Sequence, residues 1–176
     1  MEAFMSFMDL VKNRYSCRKF SDKAVEEEKL AHILEAGRIA PTATNAQPVH
    51  VIALKSAESI AKIRSLTRMA YDAAVVLMVC YDSRESYKAV KHDGYECGDM
   101  DASIATTTMM MEATDLGLAT LWARGFSASG IEKAFGLPEN MKLVCLLDVG
   151  YTDGKLGGPS PRHFVRKPMD EFAKEA

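Results

Sequence analysis

The chain has 176 residues, 48% hydrophobic and 26% charged, with 22 Lys and Arg against 24 Asp and Glu. That length holds one domain with a substantial core, and the composition excludes disordered, collagen-like and coiled-coil proteins. A formal charge of −2 gives no overall field toward nucleic acid or anionic lipid, so any anion site is local and neither partner is expected.

In chain order, residues 3–13 read as a short amphipathic helix ending near Asn13. The stretch carries Glu2 and Asp9 nearby and has no basic start before a long apolar block, so it is neither signal peptide nor membrane span. A second helix spans Val25–Ile39, with Leu30, Ile33, Leu34 and Ile39 at helical spacing behind the acidic turn Glu26-Glu27-Glu28. The polar loop Pro41–Pro48 follows, then a strand at Val49–Leu54 and a helix from Ser56 to Thr67. Ala73–Cys80 is a continuous apolar run whose length and β-branched content predict a strand covered on both faces.

Residues 81–100 read as a loop or short helix, and Asp101–Leu116 as a helix closed by Gly117, which tolerates positive φ. Leu118–Trp122 is a short strand, Ser127 caps a helix to Phe135, and Leu143–Val149 is a second buried strand. Residues 1–150 thus form a core. Residues 151–176 form an extended arm of the same domain, because six Gly and Pro residues between Tyr151 and Pro168 oppose packed secondary structure. Alternating strands and helices predict an α/β or α+β sandwich.

Cys17, Cys80, Cys97 and Cys145 show no CxxC spacing, which argues against a disulfide framework or zinc site and for a reducing cytoplasm. His32, His50, His92 and His163 form no His-x-x-x-His pair, so no metal site is expected. Asp99 and Asp101 stand where helix capping is the ordinary role. Met109-Met110-Met111 reads as core filling, and packing is the default for Tyr71, Tyr87, Tyr95 and Trp122, which could also line a substrate slot.

Two basic clusters stand at opposite ends of the chain: Lys12, Arg14, Arg18, Lys19 and Lys23, then Lys155, Arg162, Arg166 and Lys167. Charge alone favours solvated surfaces. Spacing favours more. On an extended strand Arg14, Ser16 and Arg18 project to one side, a plausible clamp for phosphate, with Tyr15 between them. Cys17 lies inside this motif, where nearby cations could lower its pKa or alternation could turn it away from the anion. The loop 41–48 offers Asn45 and Gln47, which donate and accept together, as recognition of a heterocycle edge requires; an ordinary loop is the equal alternative.

Taken in order, Arg-x-Ser-x-Arg-x-Phe (Arg14 to Phe20), Ala-Pro-Thr-Ala-Thr-Asn-Ala-Gln-Pro (Ala40 to Pro48), Gly-x-x-Asp-Ala-Ser-Ile (Gly98 to Ile104), Gly-Leu-Ala-Thr-x-Trp (Gly117 to Trp122), Gly-Leu-Pro-Glu-Asn (Gly136 to Asn140) and Arg-Lys-Pro (Arg166 to Pro168) resemble the nitroreductase family of FMN flavoproteins. The resemblance runs from Lys12 to Phe172. It implies an α+β fold with a central, mostly antiparallel sheet flanked by helices, two chains intertwined as a homodimer, and FMN at the interface. It further implies a carboxyl arm that crosses to the partner.

By position, the resemblance gives Arg14, Tyr15, Ser16 and Arg18 to FMN binding, with Arg166 joining the phosphate. Thr42, Ala43, Asn45 and Gln47 match the loop that meets the isoalloxazine from the other subunit. Arg124 and Gly125 match the segment whose backbone N–H groups face flavin N5 and O4, and Arg68 lies near the ribityl or O2 contacts. Ala119 stands where many members of the family have glycine, and Arg124 where they have a hydrophobic residue. The implied activity is NAD(P)H-dependent hydride transfer through FMN to nitroaromatics, quinones or other flat small-molecule acceptors, by ping-pong exchange. No protein catalytic group is expected, since the chemistry belongs to the flavin. The alternatives are a non-catalytic flavin-binding protein for storage or sensing, and a specialised reductive dehalogenase. An open face above N5, roofed by residues 84–97, would separate a reductase from a storage protein.

Overall fold

The structure, a computed structural model, describes residues 6–91, 93–155 and 157–175. The expected helix start at residue 3, and His92, lie outside them. The elements are α1 (Phe7–Asn13), α2 (Glu27–Arg38), β1 (Val49–Leu54), α3 (Ala57–Leu66), β2 (Val75–Asp82), α4 (Gly98–Asp115), β3 (Ala119–Ala123), α5 (Ala128–Phe135), β4 (Met141–Gly150) and α6 (Met169–Phe172). The strands make one sheet in the order β1-β2-β4-β3, antiparallel at every pairing. This settles the class as α+β.

Burial follows the topology. The central strands β2 and β4 are almost wholly buried, as expected of strands covered on both faces. One face packs Leu30 and Ile33 of α2 and Ala102 and Met109 of α4 against Leu77, Val79 and Leu147. The other packs Ile60 and Ile63 of α3 and Ile131 of α5 against Val76, Met78 and Leu146, with Cys17, Phe20 and Ala70 filling the rest. A bulge between Val79 and Cys80 shifts the β2–β4 register, so Val144 and Cys145 both turn toward α4.

Local signals set the boundaries. Ser127 caps α5 by accepting from Gly130 N–H, and Gly136 ends it at φ +69°, a left-handed conformation that glycine adopts without a Cβ penalty. Helix α4 begins at Gly98, three residues earlier than the sequence suggests, because Gly98 lies flat against the Tyr81 ring where a side chain has no room. Residues 87–91 and 93–97 form a small hairpin in place of the expected loop or short helix, joined by the Lys88–Glu96 bridge and by hydrogen bonds from Ala89 N–H to Tyr95 O and from Cys97 N–H to Tyr87 O.

The arm also departs from expectation. It is not extended throughout: Pro161–Phe164 makes a 3₁₀ turn and Met169–Phe172 one turn of helix. Proline at the first position of a turn supplies its φ and gives up an N–H that would be unpaired anyway, so breakers here start short helices as well as preventing long ones. Tyr151–Asp153 pairs with Lys19–Ser21 of the same chain, and His163 rests against Lys12 and Tyr15.

Candidate functional site

The segment Arg14–Arg18 leaves α1 at its C-cap, Arg14, and runs beside the outer edge of β3. Cys17 N–H donates to Thr120 O at 2.9 Å, and Ser16 bridges Thr120 in parallel. The segment is therefore only partly strand-like, and one bridge is enough to alternate its side chains: Cys17 is fully buried while Arg18 stands exposed. Burial pushes the Cys17 thiol up, outweighing the Lys19 backbone and the Arg18 charge that pull it down. Its Sγ donates to Lys19 O at 3.1 Å.

The two basic clusters do converge. Arg14 has its pKa lowered, first by burial and then by the neighbouring Arg166 guanidinium. Among the described residues no carboxylate pairs with Arg14, Arg18 or Arg166; Arg166 spends one N–H on Val165 O and Arg18 one on Ser16 O. Two neighbouring guanidinium groups without an anion repel, and a bound dianion would reverse the sign of that interaction. His163 brings Arg166 there: its ring contacts Lys12 O at 3.2 Å and meets Tyr15 edge-on. A cleft of about 190 Å³ opens beside Arg14 and Tyr15, floored by Gly117, Ala119 and Thr120.

At the far end of β3, Arg124 and Gly125 are both exposed. Arg124 folds back over the Phe126 ring, 5.1 Å from its centroid. A side chain on Gly125 would stand 3.3 Å from Met69 Sδ, and Met69 is flanked by the exposed Arg68 in the 3₁₀ turn Arg68–Ala70. Arg68, Gly125 and the Arg14 segment thus share the β3 side of the molecule.

Thr42, Ala43, Asn45 and Gln47 stand elsewhere. Their loop leads into β1, the opposite edge of the sheet from β3. With strands about 4.8 Å apart, the two edges are separated by roughly 14 Å before the outer segment is added. One chain does not bring the loop and the basic pair together. The loop is a strained turn with Thr44, Asn45 and Gln47 all at positive φ, and Asn45 and Gln47 side chains exposed. Its anchor corrects the expected capping role of Asp101, whose Oδ1 accepts from Ala43 N–H at 2.9 Å instead of from its own helix. A cavity of about 340 Å³ lies between this loop and α2.

Sequence reasoning gave Asp101 a helix-local role and read His163 as a histidine outside any metal-binding pair. Met69 it did not single out. Nothing in the spacing of these three announces a contact, because each acts on a segment distant in the chain.

Compared with known proteins, the sequence pattern of the nitroreductase family matches residues 11–71 and 64–151. A protein of Methanothermobacter thermautotrophicus, provisionally named NADH dehydrogenase/NAD(P)H nitroreductase, is 30% identical over 84% of this chain and 78% of its own length. The crystal structure of a nitroreductase family protein from Clostridium difficile superposes with a TM-score of 0.90 at 37% identity, covering 97% of this chain and 98% of that one. A provisionally named nitroreductase from Desulfovibrio desulfuricans, solved in complex with FMN, has a TM-score of 0.80 at 25% identity, covering 96% and 95%. With most of its length matched in sequence and nearly all of it in fold, the chain belongs to the nitroreductase family.

Proposed function

We propose that this protein is an FMN-dependent oxidoreductase that takes hydride from NAD(P)H and reduces nitroaromatics, quinones or similar flat acceptors, working as a homodimer in the cytoplasm. The observation that carries the proposal is the pair Arg14 and Arg166, 152 positions apart in sequence, close enough that the charge of Arg166 lowers the pKa of Arg14, with no carboxylate paired to either among the described residues. That donor set fits a phosphate monoester, and the relatives solved with FMN supply the class of ligand.

FMN, once bound, supplies a two-electron carrier that accepts hydride and passes it on in alternating half-reactions. The protein's residues bind and orient. Arg14, Arg18 and Arg166 neutralise the phosphate, and Tyr15 and Ser16 line its approach along β3. The exposed backbone at Arg124–Gly125 offers N–H donors to the heterocycle, which favours charge developing there. Arg68 borders the same side.

Thr42, Ala43, Asn45 and Gln47 reach the flavin of the other subunit in this reading, since their own chain holds them at the opposite sheet edge. Association is supported by an apolar surface on α1 and α4, where Phe7 is 68% and Ile104 40% exposed around a cavity of about 390 Å³. Four free and buried cysteines suit a reducing compartment.

The test is direct. Purified protein should be yellow and release FMN, not FAD; NADH or NADPH should bleach it anaerobically, and a quinone should restore the colour. Failure to hold flavin after reconstitution overturns the proposal. Flavin that is held but not reoxidised by any acceptor identifies the storage reading instead.

A further inference from the structure

We infer that Asp101 is a positioning residue for the Thr42–Gln47 loop, holding from α4 the backbone that meets the cofactor; the inference rests on the function proposed above. The loop stores strain. Thr44, Asn45 and Gln47 take φ values of 54°, 57° and 52°, and none is glycine. Such conformations persist only where the surroundings over-determine them.

Most of the loop's hydrogen bonds merely close it on itself. Asn45 N–H donates to Thr42 O, Ala46 N–H to Ala43 O, and Gln47 N–H to Thr42 Oγ1, each at 3.0 Å. Past the turn, Pro48 O accepts from Asp82 N–H at 2.8 Å, which fixes the start of β1 but not the turn. Among the described residues, the hydrogen bond that ties the turn to another element is Ala43 N–H to Asp101 Oδ1, 58 positions away.

Asp101 is costly to keep where it is. Its residue is 2% exposed, and its second oxygen, Oδ2, is buried with no partner among the described residues. Helix α4 gains nothing that requires this. Asp99, exposed in the same first turn, already complements the helix dipole without desolvation, and Asp101 N–H is satisfied by Cys97 O at 2.9 Å. The carboxylate serves the loop. A charged acceptor makes the stronger kind of bond to a backbone N–H, which suits a strained turn.

The experiment uses the full chain, without and with FMN, and reads two quantities: amide exchange in residues 43–47 and the dissociation constant of FMN. Asp101→Ala should speed exchange and weaken FMN binding by roughly tenfold to a hundredfold, the range for losing one charge-assisted bond. Asp101→Asn keeps an acceptor oxygen and should restore most of both. Ala43→Pro removes the donor from the other side, at a position whose preceding residue is already extended (Thr42, φ −130°, ψ 157°). Combined with Asp101→Ala it should weaken FMN binding no further than the worse single change, because both remove the same bond. Wild-type exchange in Asp101→Ala overturns the inference, as does faster exchange with unchanged FMN affinity or full additivity in the double variant. If Asp101→Ala does not fold, Ala43→Pro carries the comparison with α4 intact. Absence of FMN binding by the wild type overturns the proposed function instead, and the exchange arm then decides the loop's anchoring alone.

Discussion

Replacing Asp148 by valine should flatten the pH dependence of this protein's stability. Asp148 sits in the middle of the sheet, on β4 opposite Val76 and Leu121, fully buried, and neither carboxylate oxygen has a partner among the described residues. Burial pushes its pKa up from 3.8 to about 8. The Arg64 guanidinium pulls the other way, yet its N–H groups are committed to the carbonyls of Tyr71 and Ala73. The folded chain therefore holds a proton that the unfolded chain releases. The stability that Asp148 contributes is full below about pH 4, falls as pH rises through the window up to about 8, and levels off above it. The slope inside the window is about 1.4 kcal/mol per pH unit, which accumulates to roughly 4 kcal/mol by pH 7. Valine is β-branched, suits a central strand and has nothing to titrate, so the replacement removes the cost of holding the buried carboxyl protonated as pH rises. Urea unfolding of the apoprotein at pH 5, 7 and 9, at one protein concentration, reads the effect. The wild type should weaken steadily across that range and Asp148→Val should gain most at the alkaline end. Parallel pH profiles for the two proteins would refute the reasoning, because they would show that Asp148 titrates alike in the folded and unfolded chains.

Arg14→Ala and Arg166→Ala should each weaken FMN binding by roughly tenfold to a hundredfold, measured by quenching of flavin fluorescence. Wild-type affinity in both would remove the phosphate site from this end of β3. Gly98→Ala places a methyl group inside the Tyr81 ring, so thermal unfolding should show a loss of about 1–3 kcal/mol despite alanine's better helix propensity. Deleting residues 158–176 removes the His163 contact with Lys12 and the Arg166 guanidinium, so flavin content should drop. Sedimentation of the same sample tells whether the arm also supports association, with a persistent dimer reducing its role to one phosphate contact.

The sheet was legible because its signals are local and repeated. Val49–Leu54 coincides with β1, and the runs at 73–80 and 143–149 lie within one or two residues of β2 and β4, since a strand covered on both faces is apolar at nearly every position, Asp148 being the exception in the second run. Helix ends were legible where a residue states its own reason, as Ser127 and Gly136 do. The start of α4 was not, because it depends on the Tyr81 ring, 17 positions upstream of Gly98. The hairpin at 87–97 was hidden for a similar reason: two bridged residues and a few backbone bonds hold it, with no alternating pattern to announce it. In the candidate site, charge and spacing marked Arg14, Arg18 and Arg166, whereas His163, which ties the arm to Lys12, carries no pattern of its own.

The division of the site between two sheet edges has a thermodynamic consequence that reaches beyond any one residue. A chain that holds Arg14 and Arg166 beside β3 and the 42–47 loop at the start of β1 cannot close both on one ligand by a small adjustment, because four packed strands lie between them. In the proposed function, one chain alone offers FMN a phosphate grip and one face. If a second copy supplies the loop, cofactor binding gains contacts only in the dimer, and a ligand that prefers the dimer pulls assembly with it. The unpaired cations and the strained turn then share one explanation. Both raise the free energy of the separated chain, the first by mutual repulsion of Arg14 and Arg166 and the second by three positive-φ residues, and both are relieved or put to use only when cofactor and partner arrive together.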